Sequence, residues 1–414
     1  MTERETALGA LPAGLTHSEV IRSKAHSEKG HRPAAGAAKR VAAVDAIRAL
    51  ALFGVVAINM QTISGLTYLS PGALQFIQRD VHIAVQALLD VLVEKKALSA
   101  FSFLFGLSFT LLLNSSLRAG RPFLSLYLRR LFFLGCFGLL NATFFFWGDI
   151  LTTYAVFGLF LLLALRLSQR TVLALGGILT LAVPFGLAAS GVLRGPGIQL
   201  ATDVQALLAF GDASLWATIK YNVERFLAAV QGRSALGPWN YSNILGLFLL
   251  GLWAGRAGIL QDIEQHKVLL KRTAWVALPI GGAMSLFESM LPHTHPLATA
   301  MLASTPLMAV GYIALAAILL NSEKAHFIRD ALAPAGKLAL TFYLLSGLLG
   351  AIVFYGWGFG LLARVGAGSV LLISIAIYLL LLLASRLWLT KFRYGPFEWV
   401  WRCLTYMDWQ PIRR

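Results

Sequence analysis

Acidic side chains are scarce in this 414-residue chain, which has 19 Asp and Glu against 35 Lys and Arg. Charge of either sign is thin at 13% of residues, about half of the ~25% of a soluble domain. That deficit excludes a soluble enzyme. It also excludes a disordered chain, which stays unfolded through polarity and charge. Cysteine is nearly absent: Cys136 lies in an apolar run and Cys403 near the basic end, so no disulfide framework is available. The 8 histidines are not grouped with cysteines or carboxylates. His293 and His295 form an isolated H-x-H pair, and a metal centre needs three or four ligands, so no metal site is expected. No nucleophile elbow, zincin helix, phosphate loop or dinucleotide fingerprint occurs.

What is present is apolar. Hydrophobic residues make up 57% of the chain and the mean hydropathy is +0.71. They come in blocks of about 20, the length that crosses a bilayer. The expected fold is all-α: a polytopic integral membrane protein of about ten transmembrane helices with two interfacial amphipathic segments. The spans fall near 43–62, 98–115, 128–146, 150–165, 171–191, 241–258, 273–291, 299–320, 338–356 and 367–386. Residues 1–40 read as a disordered cytoplasmic tail, 41–390 as the membrane domain, and 391–414 as an aromatic, basic amphipathic tail on the cytoplasmic leaflet. The amphipathic stretches at Val81–Val93 and Leu215–Ala229 read as helices along the interface or closing over the bundle.

The net charge of +16 follows from this topology. With the amino terminus inside and ten spans, most of the Lys and Arg fall on the inner side. The outer segments hold only Arg79, Lys95, Lys96, Arg194, Lys220, Arg225, Arg233 and Arg364. Positive charge prefers the cytoplasmic side, so both termini are expected there. The basic balance needs no nucleic acid to explain it; the partner is the lipid bilayer, and the sequence leaves the oligomeric state open.

A polar group inside an apolar span is costly and faces protein or water, which makes it a site candidate. Asp45 and Arg48, three apart on the first span, form either a structural ion pair or an anion site in which Asp45 orients Arg48. Asn59 and Gln61 close that span, for hydrogen bonding between helices or for a deeper polar site. Asn141 precedes a tight turn with Asp149. That carboxylate either caps the next helix or serves as an acid, base or substrate-orienting group. Lys337, Thr341, Tyr343 and Ser346 stud the ninth span. Gly251 and Gly255 form a GxxxG pair suited to close helix approach.

The run from Arg40 to Met60, R-V-A-A-V-D-A-I-R-A-L-A-L-F-G-V-V-A-I-N-M, resembles the opening of the YeiB-like bacterial inner-membrane proteins, a domain-of-unknown-function family. F-S-F-L-F-G-L-S-F from Phe101 agrees. So do R-R-L-F-F-L-G-C-F-G-L-L-N with W-G-D-I-L-T-T-Y-A between Arg129 and Ala155. Between Gly336 and Tyr406, G-K-L-A-L-T-F-Y-L-L-S and R-Y-G-P-F-E-W-V-W-R-C-L-T-Y agree as well. The resemblance covers roughly residues 40–407. The family is similar, more distantly, to transmembrane acyltransferases, which carry an acyl group from a cytosolic coenzyme A thioester to an acceptor across the bilayer. They share a first helix with an Asp-x-x-Arg start and a polar residue at its far end, here Asp45, Arg48 and Asn59. The resemblance implies acyl transfer to a membrane or extracytoplasmic acceptor, with acyl-CoA as co-substrate and no tightly bound cofactor. Arg48 would hold the donor's phosphates, Asn59 would polarise the thioester, and Asp149 or His82 would assist proton transfer. Asn141, Tyr343 and Ser346 would line the substrate site. Ala49 stands where the motif has Gly, and Asn141 where many YeiB-like chains have His. A transporter or flippase, or a non-catalytic membrane binding protein, are the alternative readings.

Overall fold

The computed structural model describes residues 35–77, 80–191, 203–230, 237–292 and 295–414. The expected disorder of the tail falls on residues 1–34, outside the described residues, as does His293 of the H-x-H pair. The chain divides into two compact units, Met1–Lys39 and Arg40–Arg414. In the first, the described residues begin a helix at Ala35.

The architecture is all-α, and the only strand-like pairing among the described residues is a bridge between Phe392 and Arg413. The helices are α1 (Ala35–Ile63), α2 (Pro71–Leu74), α3 (Asp80–Leu92), α4 (Lys96–Arg118), α5 (Phe123–Phe144), α6 (Leu151–Ala164), α7 (Gln169–Gly177) and α8 (Val183–Ser190). There follow α9 (Val204–Gly211), α10 (Leu215–Val230), α11 (Gly237–Arg256), α12 (Lys267–Met290), α13 (Pro296–Met301) and α14 (Ser304–Asn321). The last four are α15 (His326–Lys337), α16 (Ala339–Phe354), α17 (Ala367–Lys391) and α18 (Pro396–Tyr406).

Every expected span coincides with helix, and the protein is a multi-pass membrane protein. By length and apolar composition, six helical segments among the described residues suffice to cross a bilayer, or seven if the bent pair α15–α16 counts as one. The others fall short of the expected ten for local reasons. α6 has 14 residues, about 21 Å of rise, against a core of about 30 Å. α11 opens with Asn240, Ser242 and Asn243. α12 carries Pro279, Gly281, Gly282 and Glu288.

Glycines set a close helix crossing between α4 and α11. A Cβ on Gly106 of α4 would collide with the Phe248 carbonyl of α11, one on Gly251 with the Phe103 carbonyl, and one on Gly255 would lie 2.6 Å from Thr110 Oγ1. The GxxxG pair is thus one side of the α4–α11 contact, where backbones meet. Gly251→Ala is expected to force these helices apart and cost about 1–3 kcal/mol, seen as a lower melting midpoint in detergent. An unchanged midpoint would show that the crossing can relax.

Two amphipathic stretches depart from a simple interfacial placement. α3 is tied at its start to the beginning of α17, where His82 Nδ1 accepts from the Gly368 amide at 3.2 Å. Its far end reaches the middle of α1, where Val93 and Ala97 pack on Gly54. α3 therefore dips into the apolar layer. Residues 391–414, expected as an interfacial anchor, fold back on the bundle. The Arg393 amide donates to the Ile412 carbonyl at 2.8 Å and the Trp399 indole to the Gln410 carbonyl at 2.7 Å. α18 is held against α5, where the Trp401 indole donates to the Arg130 carbonyl at 2.9 Å.

Candidate functional site

α15 and α16 meet at Leu338 with a 78° bend. The bend follows A-P-A-G-K, in which Pro334 lacks an amide hydrogen. Gly336 permits a contact that no side chain could, because its Cα rests on the Asp45 backbone of α1. A break inside an apolar span frees backbone groups that must be satisfied internally. Both sides of this break are satisfied by side chains the sequence marks as unusual. On the α15 side, Arg48 Nη1 donates to the Gly336 carbonyl at 3.2 Å. The same guanidinium pairs with Asp45 Oδ1 at 2.5 Å and donates to Ser108 Oγ of α4 at 3.2 Å. On the α16 side, Glu398 of α18 receives the Thr341 amide at 2.9 Å and the Thr341 hydroxyl at 2.5 Å. A carboxylate is favoured at a helix amino end. Burial raises the Glu398 carboxyl above its ordinary value, and the Thr341 contacts pull it back only in part.

These groups border a cavity of about 290 Å³, close to the ~300 Å³ lower end of small-molecule sites. Arg48, Arg130, Lys337 and Arg402 line the end of it nearest the α15–α16 break. Among the described residues Arg130, Lys337 and Arg402 form no ion pair. Arg402 Nε is buried without a hydrogen-bond partner. Two of these cations lie on aromatic rings: Arg130 is 3.9 Å from the Trp401 centroid and Arg402 4.5 Å from that of Tyr394. Stacking fixes a guanidinium plane and leaves its edge donors free. Four cations against the Glu398 carboxyl on the wall and Asp45 beside Arg48 leave an excess of positive charge that favours an anion there.

Beyond the cations the wall becomes apolar. Leu98, Phe101 and Phe105 of α4 line it there, and with Ser108 and Leu112 at the cationic end the cavity follows that helix for about 20 Å. Tyr154 closes the deep end, with its hydroxyl 2.7 Å from Ser102 Oγ and donating to the Leu98 carbonyl at 3.2 Å. Tyr343 and Ile150 line the same region.

Behind Tyr343 stands a buried polar trio. Asn141 Nδ2 donates to Asp149 Oδ1 at 3.0 Å and to the Tyr343 hydroxyl at 3.4 Å, and the Tyr343 hydroxyl donates to Asp149 Oδ1 at 3.4 Å. Asp149 also caps α6, accepting from the Thr152 amide at 2.8 Å and its hydroxyl at 3.0 Å. The Asp149 side chain is almost excluded from solvent, and burial pushes its carboxyl up to about 6. Asp149 therefore caps a helix and sits in a polar cluster behind the cavity wall.

Of the expected site residues, Arg48 and Tyr343 line the cavity, Asp45 holds Arg48, and Asn141 and Asp149 support Tyr343. Ser346 is one turn further on, donating to the Tyr343 carbonyl at 2.8 Å. Asn59 is half-buried and His82 is engaged with Gly368; neither lines the cavity. The wall residues missed in the sequence are Arg130, Tyr394, Glu398, Trp401 and Arg402. In the sequence Arg130 is one of the basic residues on the inner side, and the other four lie in a stretch whose Trp and Arg content matches a membrane anchor. The signal available was the G-P-F-E start of α18, with Pro at the first helical position and a carboxylate two residues later.

Glu398→Ala is expected to leave the α16 amino end uncapped and to cost about 1–2 kcal/mol, with Glu398→Gln costing less because an amide oxygen can still accept from Thr341. Thermal melting of the two variants checks the order.

Fold and cavity define a multi-pass membrane protein with an internal chamber, cationic at one end and aromatic along its length. The chain belongs to the YeiB-like family. It is 30% identical to the uncharacterized protein YxaH of Bacillus subtilis over 91% of this chain and 96% of that protein. It is 29% identical to the uncharacterized protein YeiB of Escherichia coli over 89% and 96% respectively. It is also 28% identical to an uncharacterized 39.9 kDa protein in the amylase 3' region of Bacillus acidopullulyticus, over 90% and 96%. The family described as protein of unknown function (DUF418) matches residues 254–408, which include α15, α16 and α18. No solved structure matches.

Proposed function

We propose that the protein is a transmembrane acyltransferase of the bacterial inner membrane, with both termini cytoplasmic. It takes an acyl-CoA from the cytosol and passes the acyl group to a membrane or extracytoplasmic acceptor. The observation that carries this reading is a cavity in which cations outnumber carboxylates at one end and an aromatic shaft leads to Tyr343. The distribution of Lys and Arg supports placing the cationic end on the cytosolic side. A donor with phosphates at one end and an acyl chain at the other matches that polarity. Arg48, Arg130, Lys337 and Arg402 hold the phosphates, and Phe101, Phe105 and Leu112 shelter the arm.

The transfer is balanced as follows. The acceptor hydroxyl oxygen bonds to the thioester carbonyl carbon and the carbon–sulfur bond breaks. The acceptor proton passes through the Tyr343 hydroxyl toward Asp149 and returns to the departing thiolate, leaving an ester and free coenzyme A. Tyr343 is the group that touches the reacting atoms, while Asp149 and Asn141 position it. Asn59 and His82 have no part in this scheme. Calorimetry of purified protein with acetyl-CoA tests the donor site, and turnover of a labelled thioester tests the reaction. Absence of binding to the wild type would remove the reading.

The 78° break between α15 and α16 favours a second reading, a transporter or flippase, since broken helices build substrate sites in transporters. Flux of a substrate into proteoliposomes with no acylated product would support it. Thioester turnover without flux would eliminate it.

A further inference from the structure

The shaft beside α4 has a definite length between two chemically different ends. Ser108 accepts from Arg48 at 3.2 Å and marks the level of the cations, with Leu112 one turn beyond it at the same end. Leu98 marks the other end. Helical rise puts Leu98 about 20 Å from Leu112 and about 15 Å from Ser108.

Tyr154 of α6 stands at the Leu98 end and is held there by hydrogen bonds and by rings. It is only 1% exposed. Its hydroxyl donates to the Leu98 carbonyl at 3.2 Å and lies 2.7 Å from Ser102 Oγ, which donates to the same carbonyl at 3.0 Å. Its ring meets Phe105 and Phe248 of α11 edge to face, at 5.2 and 5.1 Å between centroids, and stacks on Phe101 at 6.4 Å. In an apolar layer no water replaces a broken hydrogen bond, so swinging this ring aside is costly. Ile150 and Leu151 line the wall beside it.

Coenzyme A brings a length of its own. About twelve bonds separate its diphosphate from its sulfur, and an extended chain advances about 1.2 Å per bond, so the arm spans about 14 Å. The phosphates, placed among the cations, sit between the levels of Leu112 and Ser108. The sulfur then falls near Phe101, and at most about 7 Å of shaft remains before the level of Leu98. That is room for at most about five bonds beyond the sulfur. An acetyl or butyryl group fits and an octanoyl group does not. The cavity volume of about 290 Å³, at the lower end for small-molecule sites, points the same way. A short acyl group also leaves its thioester carbonyl in the part of the shaft that Tyr343 lines.

We infer that Tyr154 is the length stop of the donor shaft and that the transferred acyl group is short, acetyl to butyryl in size. The inference rests on the acyl-donor reading of the cavity and adds to it the chain length and the residue that sets it. Tyr154 acts by position: its ring meets the tip of the acyl chain, and it takes no part in the proton transfer at Tyr343.

Titration calorimetry of the full-length protein in nanodiscs tests it, with free, acetyl-, butyryl- and octanoyl-coenzyme A as the probes. In the wild type, acetyl- and butyryl-coenzyme A are expected to bind at least as tightly as free coenzyme A. Octanoyl-coenzyme A is expected to bind at least about tenfold more weakly than butyryl, the discrimination an overfilled apolar pocket gives. Tyr154→Ala opens the end of the shaft and is expected to regain that factor for octanoyl, whereas Tyr154→Phe keeps the ring and the wild-type order. Should Tyr154→Ala fail to fold, Tyr154→Leu refills part of the space and is expected to shift preference in the same direction. Octanoyl binding as tight as butyryl in the wild type would overturn the stop and leave the donor reading standing. So would a folded Tyr154→Ala with the wild-type order. No binding of any of the four would remove the donor reading itself, and the stop with it.

Discussion

Arg48→Ala is expected to lose acetyl-CoA binding and fold stability together, whereas Arg402→Gln loses binding alone. Arg48 joins three elements through Asp45, the Gly336 carbonyl and Ser108. Removing one partner of a fully buried ion pair costs about 3–5 kcal/mol. Here the two side chains keep 19% and 16% exposure, and solvent screening brings the figure to about 2–3 kcal/mol. In binding, one hydrogen bond to a charged group is worth about 1.5–3 kcal/mol, or roughly a 10- to 100-fold weaker dissociation constant. Arg402 has no ion pair among the described residues and stacks on Tyr394 and Tyr406, so its glutamine variant should melt within about 1 kcal/mol of wild type while binding falls about tenfold or more. Titration calorimetry and thermal melting on the same preparations separate the two. Arg48→Ala with a lowered melting point but wild-type affinity would make Arg48 purely structural. A wild-type affinity in Arg402→Gln would move the anion away from α18.

In the proposed reaction the phosphate end of the donor and the aromatic shaft make different demands. Salt should weaken binding at the cationic end, because charges near water are screened. The aromatic shaft should respond to chain length. Comparing acetyl-CoA with free coenzyme A at two ionic strengths therefore reports on each part. Equal salt sensitivity with no gain from the acyl group would place the ligand wholly at the cations and leave the shaft unused.

The helices were legible because apolar runs report burial in lipid directly, and each expected span is helical. Their number as crossings was less so, since α6 is short and α11 and α12 dilute their apolar runs with polar residues. The cavity was legible only in fragments. Arg48, Tyr343, Asn141 and Asp149 stood out because a polar residue in an apolar run is costly wherever it points. That Asn141 and Tyr343 meet, though far apart in sequence, depends on α5 lying beside α16, which no local pattern encodes. Glu398 and Arg402 were hidden for the opposite reason. In α18 polar residues are common, and the anchor pattern explains them equally well until the helix is seen to seat on the α15–α16 break.

Asp149→Asn and Tyr343→Phe are expected to lower thioester turnover about 10²- to 10⁴-fold, the range for a positioned proton-transfer group, with little change in KM for the donor. In the proposed transfer Tyr343 meets the reacting atoms and Asp149 acts through it, so the two losses should not add. The pH dependence distinguishes this from a structural role. With a carboxyl pushed up to about 6, Asp149 accepts the proton only when ionised. Wild-type turnover should therefore rise through about pH 6 and level above it, and this limb should vanish in Asp149→Asn. Stability should run the other way. A carboxyl whose folded value lies above its ordinary 3.8 binds protons more tightly in the folded state. Its ionisation therefore costs stability progressively as pH climbs from 3.8 to about 6, by on the order of 2–3 kcal/mol in all. Asn cannot ionise, so the variant should lose that dependence while retaining an acceptor for Thr152. A wild-type protein whose stability and turnover both improve with rising pH would mean that Asp149 is held ionised by a partner. A variant that keeps the pH 6 limb would assign the titration to another group. An enzyme that turns over better under the conditions that weaken its fold would have Asp149 placed for proton transfer at the expense of packing.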